Sequence, residues 1–323
     1  MEGVHFYMRI TFDAWIAQKE LMILDGAMAT ELEAKGYDLN DSLWSAKVLA
    51  NTPQAIKDVH YDYFVHGADA GISASYQASM QGFMEKGYSK EKAKEMIELS
   101  MKLLLDAREE WWRAEGEKKG RAFPIAIASI GPFGAYLADG SEYSGDYKIS
   151  KEALKEFHRV RMDILKEAGA ELFALETFPN LQEAVVCAEL MEERKADYYI
   201  SFSFKNSKQI NAGNTIEECV KQLKDFPHLK AIGVNCTLPG FVKDIITEYK
   251  TYTNLPIVVY PNSGELFNAE KKNWYGKRLF DSFEKWSKDW YQAGATLIGG
   301  CCRTTPDDIA HIYQWYEKQR KEK

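Results

Sequence analysis

Cys301 and Cys302 are adjacent in Gly299-Gly300-Cys301-Cys302-Arg303, directly after the apolar run Ala295-Thr296-Leu297-Ile298. Cys236 follows a second such run, Ala231-Ile232-Gly233-Val234-Asn235. Each group lies where a buried strand would end. Three thiols at two strand ends, with no fourth cysteine or histidine at finger-like spacing, suggest a zinc ion with one position open. An open position marks a catalytic rather than a structural zinc, and soft thiolate ligands favour a sulfur substrate. The competing reading is that cysteine is a small buried hydrophobe. Cys187 in Val185-Val186-Cys187-Ala188 and Cys219 in Glu218-Cys219-Val220 fit it, as inward-facing helix positions. Cys236 and the Cys301-Cys302 pair differ, because glycine and asparagine border them and the strand pattern stops there. A disulfide between the two neighbours would be strained.

Other polar residues close apolar runs in the same way. Asp25-Gly26-Ala27-Met28 ends the first run; Gly26 lets backbone amides approach a ligand carboxylate closely, and Asp25 can hold an ammonium group. The same residues also fit a helix start with Asp25 as N-cap. Glu176 follows Leu172-Phe173-Ala174-Leu175, where a carboxylate needs a partner. Asp25 and Glu176 together could bind an amino group; alternatively Glu176 forms a salt bridge with a neighbouring loop. Asn235 and Asn262 close two further runs. In Thr304-Thr305-Pro306-Asp307-Asp308, Thr305 suits an N-cap, Pro306 the first helical position and Asp308 a capping-box-like partner. Trp44, Tyr76, Phe133 and Tyr136 lie near strand ends, where a cation could rest on aromatic faces, although aromatics more often simply pack.

The elements that must position these residues follow from the pattern of the chain. Short β-rich runs at 21–24, 70–75, 125–130, 172–175, 199–204, 231–234, 257–260 and 296–298 alternate with amphipathic helical stretches. Strands alternating with helices imply parallel pairing. Eight such units without a linker predict an α/β fold, a single-domain (β/α)8 TIM barrel, with an open doubly wound sheet as the other candidate. The barrel carries chemistry at the carboxyl ends of its strands. It would therefore gather Asp25, Glu176, Asn235, Cys236, Asn262, Cys301 and Cys302 around one mouth. Residues 1–18 read as an N-terminal extension packing on the barrel, and 19–323 as the barrel domain.

Composition narrows the function. The 323 residues are 46% hydrophobic, enough for a full core, and the net charge of -7 leaves no basic footprint for nucleic acid. No apolar run is long enough to span a membrane, and charges at Glu2, Arg9 and Asp13 come too early for a secretory signal. Five cysteines without a signal imply a reducing compartment, so a cytoplasmic location is expected. Phosphate-cradling glycine loops, a His-Glu-x-x-His pair and a Gly-x-Ser-x-Gly elbow are all missing from the sequence.

Asp25-Gly26-Ala27-Met28, Gly233-Val234-Asn235-Cys236-Thr237 and Gly299-Gly300-Cys301-Cys302-Arg303 resemble the homocysteine S-methyltransferase family over nearly the whole chain. The resemblance implies a (β/α)8 barrel with Zn2+ on Cys236, Cys301 and Cys302. It also implies that Asp25, Gly26, Ala27 and Glu176 position homocysteine, and that the segment of Trp44 lies over the active site. The segments Gly131-Pro132-Phe133-Gly134-Ala135-Tyr136 to Tyr143 and Tyr260-Pro261-Asn262-Ser263-Gly264-Glu265 look like the branch that uses S-methylmethionine as donor. Ser73-Ala74-Ser75 before Tyr76 departs from the threonine-rich version usual there. The reading is a zinc-dependent methyl transfer from S-methylmethionine to homocysteine, with Trp44, Tyr76, Asn235 and Asn262 completing the substrate site. Its alternatives are a selenocysteine methyltransferase and a non-enzymatic zinc/thiol redox switch. The expected partners are the two small substrates, with no nucleic acid, membrane or obligatory protein partner.

Overall fold

The computed structural model describes residues 11–18, 21–37, 39, 45–268, 273–279 and 282–322. Trp44 lies outside them. The described residues form ten strands: β1 (Met22–Ile23), β2 (Ala70–Ile72), β3 (Ile125–Ile130), β4 (Leu172–Phe178), β5 (Tyr198–Phe202), β6 (Leu229–Asn235), β7 (Ile257–Tyr260), β8 (Leu266–Asn268), β9 (Asn273–Tyr275) and β10 (Ala295–Ile298). Eight of them form one parallel sheet in the order β1-β10-β7-β6-β5-β4-β3-β2. The two ends meet through a parallel bridge between Leu24 and Ala70. The sheet is therefore a TIM barrel and not an open sheet. The antiparallel hairpin of β8 and β9 between β7 and β10 has no counterpart in the periodicity.

Alternation along the strands decides what each side chain does. Ile23, Ala126, Phe173, Ile200, Ile232, Val259 and Ile298 face outward into a layer shared with the surrounding helices. Met22, Ile125, Ile127, Leu172, Ala174, Tyr199, Ala231, Val258 and Leu297 fill the barrel interior. Continuing the inward set toward the carboxyl ends gives Ser129, Glu176, Ser201, Asn235 and Tyr260. The interior thus turns from apolar to polar along its own period of two. Phe12 and Trp15, on the helix Phe12–Gln18, pack with the interior set. No helix among the described residues is long and apolar enough to cross a membrane.

Two strand ends depart from the sequence reading in ways that matter for the site. β4 does not stop at Leu175 but continues to Phe178, with a register shift against β5 between Leu175 and Phe178. Glu176 is therefore an inward strand residue, not a residue beyond the strand, and Thr177 adopts φ +61° at the irregularity. β2 ends at Ile72, so Ser73-Ala74-Ser75 begin the loop instead of extending the strand.

Candidate active site

The three cysteines converge although their strands are not neighbours, because β7 lies between β6 and β10. The end of β7 ties both segments down. Cys236 N–H donates to the Tyr260 carbonyl at 3.2 Å, Cys301 N–H to the Pro261 carbonyl at 2.9 Å, and Ser263 N–H to the Cys302 carbonyl at 3.1 Å. The sulfurs stand 3.2 Å (Cys236–Cys301), 3.7 Å (Cys236–Cys302) and 4.0 Å (Cys301–Cys302) apart. A tetrahedral zinc with Zn–S bonds of about 2.3 Å has sulfurs about 3.8 Å apart, so the trio fits that ion. All three thiols are free, as are the buried Cys187 and Cys219, which sit in helices as expected. Contacts with the other two sulfurs draw the Cys301 thiol well down and push that of Cys236 up.

The turn that presents the pair is tight. Thr304 Oγ1 donates to the Cys301 carbonyl at 2.6 Å and accepts from Ala27 N–H at 3.3 Å, joining the loops that follow β1 and β10. A Cβ on Gly300 would lie 2.2 Å from Thr304 Oγ1, so only glycine fits there. Cys236 and Arg303 hold φ of +49° and +67°. With Thr177, these strained residues cluster at the mouth, a pattern common at functional sites. The following helix, Pro306–Glu322, begins as its sequence implied, with Asp308 Oδ2 accepting from Thr305 N–H at 2.8 Å.

Asp25 and Glu176 face the sulfurs from two other strands. Asp25 Oδ2 accepts from Ile72 N–H at 2.8 Å, and Ser129 Oγ donates to Glu176 Oε1. Asp25 is 4% and Glu176 8% exposed, without an ion-pair partner among the described residues. The salt bridge considered for Glu176 is therefore absent there. Burial pushes the Asp25 carboxyl well above the usual range and that of Glu176 up to about 7; repulsion from Glu176 adds to the effect at Asp25. Two carboxylates held this way lack a cation.

Asn235 has a different part. Its Oδ1 accepts from Thr177 N–H and Ser201 Oγ, both at 2.8 Å, and its Nδ2 donates to Thr177 Oγ1 at 2.7 Å. Its side chain braces β4, β5 and β6, although it borders the cavity. Asn262 does not line the cavity; its N–H donates to the Thr237 carbonyl at 3.1 Å. Gly26, Ala27 and Tyr76 do line it. Phe133 and Tyr136 instead pack against Phe157 at centroid separations of 5.0 and 5.4 Å, away from the mouth.

Glu142, Tyr143 and Trp274 also line the cavity, and periodicity did not point to them. They lie on the connection after β3 and on β9, where no strand or helix period operates. Tyr143 Oη comes within 3.9 Å of Cys236 Sγ. Glu142 is pushed up to about 7 by burial and by Asp139. Among the described residues, the cavity of about 180 Å³ has three carboxylates and three thiols in its lining and no Lys, Arg or His.

A family model described as homocysteine S-methyltransferase matches residues 22–316. Homocysteine S-methyltransferase YbgG of Bacillus subtilis is 49% identical over 296 residues, covering 91% of this chain and 94% of its own. Selenocysteine Se-methyltransferase of Brassica oleracea is 42% identical over 320 residues, covering 94% of this chain and 92% of its own. The metallated homocysteine methyltransferase MmuM of Escherichia coli superposes with a TM-score of 0.84 at 42% identity, covering 93% and 98% of the two chains.

Proposed function

The chain belongs to the homocysteine S-methyltransferase family, and on that premise we propose that it transfers a methyl group from S-methylmethionine to homocysteine, with zinc held by Cys236, Cys301 and Cys302. The observation that carries this reading is a thiol trio beside two buried carboxylates, in a cavity with no cationic side chain among its described lining residues. Such a cavity accepts cations. The two substrates bring ammonium groups and a sulfonium.

Cys236, Cys301 and Cys302 would hold the zinc, and its chemistry when bound would be to favour loss of the proton from the homocysteine thiol, while three thiolate ligands would leave the centre negative enough to keep that sulfur nucleophilic. Asp25 and Glu176 would hold the homocysteine ammonium and so aim its sulfur at the trio. Tyr76, Tyr143 and Trp274 would border the sulfonium and exclude water from the path of attack. The C–S bond to the sulfonium methyl breaks as the new C–S bond forms. The electron pair of the broken bond stays on the donor sulfur, which becomes a neutral thioether. The acceptor thiol has released its proton, and both products are methionine. Charge is neutralised along this path, so a dry mouth favours it.

The deciding assay combines reduced, zinc-loaded protein and homocysteine with S-methylmethionine, S-adenosylmethionine or betaine, and quantifies methionine. The highest kcat/KM is expected with S-methylmethionine; a higher value with either other donor overturns the donor assignment. Selenocysteine is the second acceptor to test, because a selenocysteine Se-methyltransferase is among the relatives. A non-enzymatic thiol switch has no use for Asp25 and Glu176, and family membership argues against it.

A further inference from the structure

One carboxylate in the cavity has no part in the reaction described above. Glu142 sits in the turn Ser141–Tyr143, on the connection that follows β3. The turn is held firmly. Ser141 N–H donates to Asp139 Oδ1 at 2.9 Å, and Gly145 N–H donates to the Ser141 carbonyl at 2.8 Å. A Cβ on Gly134 would lie 2.6 Å from the Glu142 nitrogen, so the turn rests directly on the preceding helix, Phe133–Leu137. Glu142 Oε2 is buried and no donor among the described residues lies within hydrogen-bond geometry of it; the neighbouring Tyr143 side chain offsets only part of the effect of burial on this carboxyl. An unpaired buried carboxylate oxygen is costly, and a cation from outside the protein would relieve that cost.

The surroundings say which cation. Asp25 and Glu176 act on each other from two strand ends, whereas Glu142 enters the cavity from the connection after β3, next to Tyr143. Glu142 is thus a third carboxylate of the cavity, carried on the loop that also brings Tyr143 to it. Both substrates are amino acids, so two ammonium groups enter with one sulfonium. The pair Asp25 and Glu176 serves the first ammonium. The sulfonium has no hydrogen-bond donor at its charged centre and suits the aromatic faces. The ammonium of the donor needs an acceptor, and no other carboxylate occurs in the described lining.

We propose that Glu142 determines donor specificity by accepting hydrogen bonds from the α-ammonium group of the methyl donor, selecting amino-acid sulfoniums over sulfoniums without an amine. This rests on the assignment of S-methylmethionine as donor and of Asp25 and Glu176 to the acceptor.

The test is calorimetric titration of reduced, zinc-loaded protein with S-methylmethionine and with 4-(dimethylsulfonio)butanoate, which keeps the sulfonium and carboxylate but lacks the amine. The wild type should bind S-methylmethionine more tightly by about ten- to a hundred-fold, the range of a charge-assisted hydrogen bond. Glu142→Gln should abolish that preference while leaving the analogue's affinity, zinc content and homocysteine KM unchanged. Equal weakening of both donors would assign Glu142 to the sulfonium, a raised homocysteine KM would assign it to the acceptor, and either overturns the inference, as does an unchanged preference. Binding is read without turnover. Selective binding without methyl transfer therefore refutes the donor assignment alone, and failure of both compounds to bind refutes both readings.

Discussion

Glu176→Gln should make the protein more stable and the enzyme worse. In the ligand-free fold this carboxyl is pushed from its ordinary 4.5 to about 7 by burial, against the stabilising contacts of Ser129 and Tyr260. A difference of that size corresponds to about 3 kcal/mol between the ionised and protonated buried forms. The protonated form is the favoured one. Its contribution to stability is therefore fully present below pH 4.5 and is lost as pH rises through about 7. At pH 8 the wild type carries the whole cost of a buried charge, which glutamine avoids while still accepting from Ser129. Allowing for imperfect hydrogen bonding, the variant should gain about 1–2 kcal/mol at pH 8, or about 1.5–3 °C in Tm. At pH 5 the wild-type carboxyl is largely neutral, and the gain should vanish. Loss of the charge facing the ammonium should raise the homocysteine KM about ten- to a hundred-fold, from about 1.5–3 kcal/mol of binding. Thermal denaturation of metal-free, reduced protein at both pH values gives the first quantity, and initial rates at saturating donor give the second. A variant destabilised equally at pH 5 and pH 8, with an unchanged homocysteine KM, would falsify the argument and make Glu176 a structural residue.

The thiol trio and its supports give further outcomes. Cys302→Ser should lose most of its zinc by elemental analysis, because two thiolates remain where three converge; full retention removes Cys302 from the ligand set. Gly300→Ala drives a methyl group into Thr304 Oγ1 and should cost about 1–3 kcal/mol as a fall in Tm, together with weaker zinc binding; an unchanged Tm means that the turn yields freely. Tyr76→Leu should raise the KM for S-methylmethionine by several-fold to about thirty-fold, the range of a cation on an aromatic face, with zinc content and homocysteine KM unaffected. If both KM values rise together, the ring only packs.

The alternation of short apolar runs with amphipathic stretches was enough to specify eight parallel units, because the periods of strands and helices are local properties of the chain. The thiols at two strand ends were readable for the same reason: a barrel gathers its carboxyl ends, so the end of a run is already a position in space. Asp25, Glu176, Cys236, Cys301 and Cys302 were found that way. Closure through Leu24 and Ala70 was not; it depends on pairing between residues distant in sequence. Nor was the difference between Asn235, whose amide is consumed in bracing Thr177 and Ser201, and Glu176, which is left without a cation. Whether a polar side chain is satisfied is decided by neighbours from other strands. Glu142, Tyr143 and Trp274 reach the cavity on connections whose path has no period, while Phe133, close to the first two in sequence, turns away into a packed aromatic layer. The chain's own pattern thus determined eight strand–helix units and the polar residues and thiols at their ends. The tertiary structure alone decided which loop residues enclose that chemistry, because their direction is set by packing rather than by spacing.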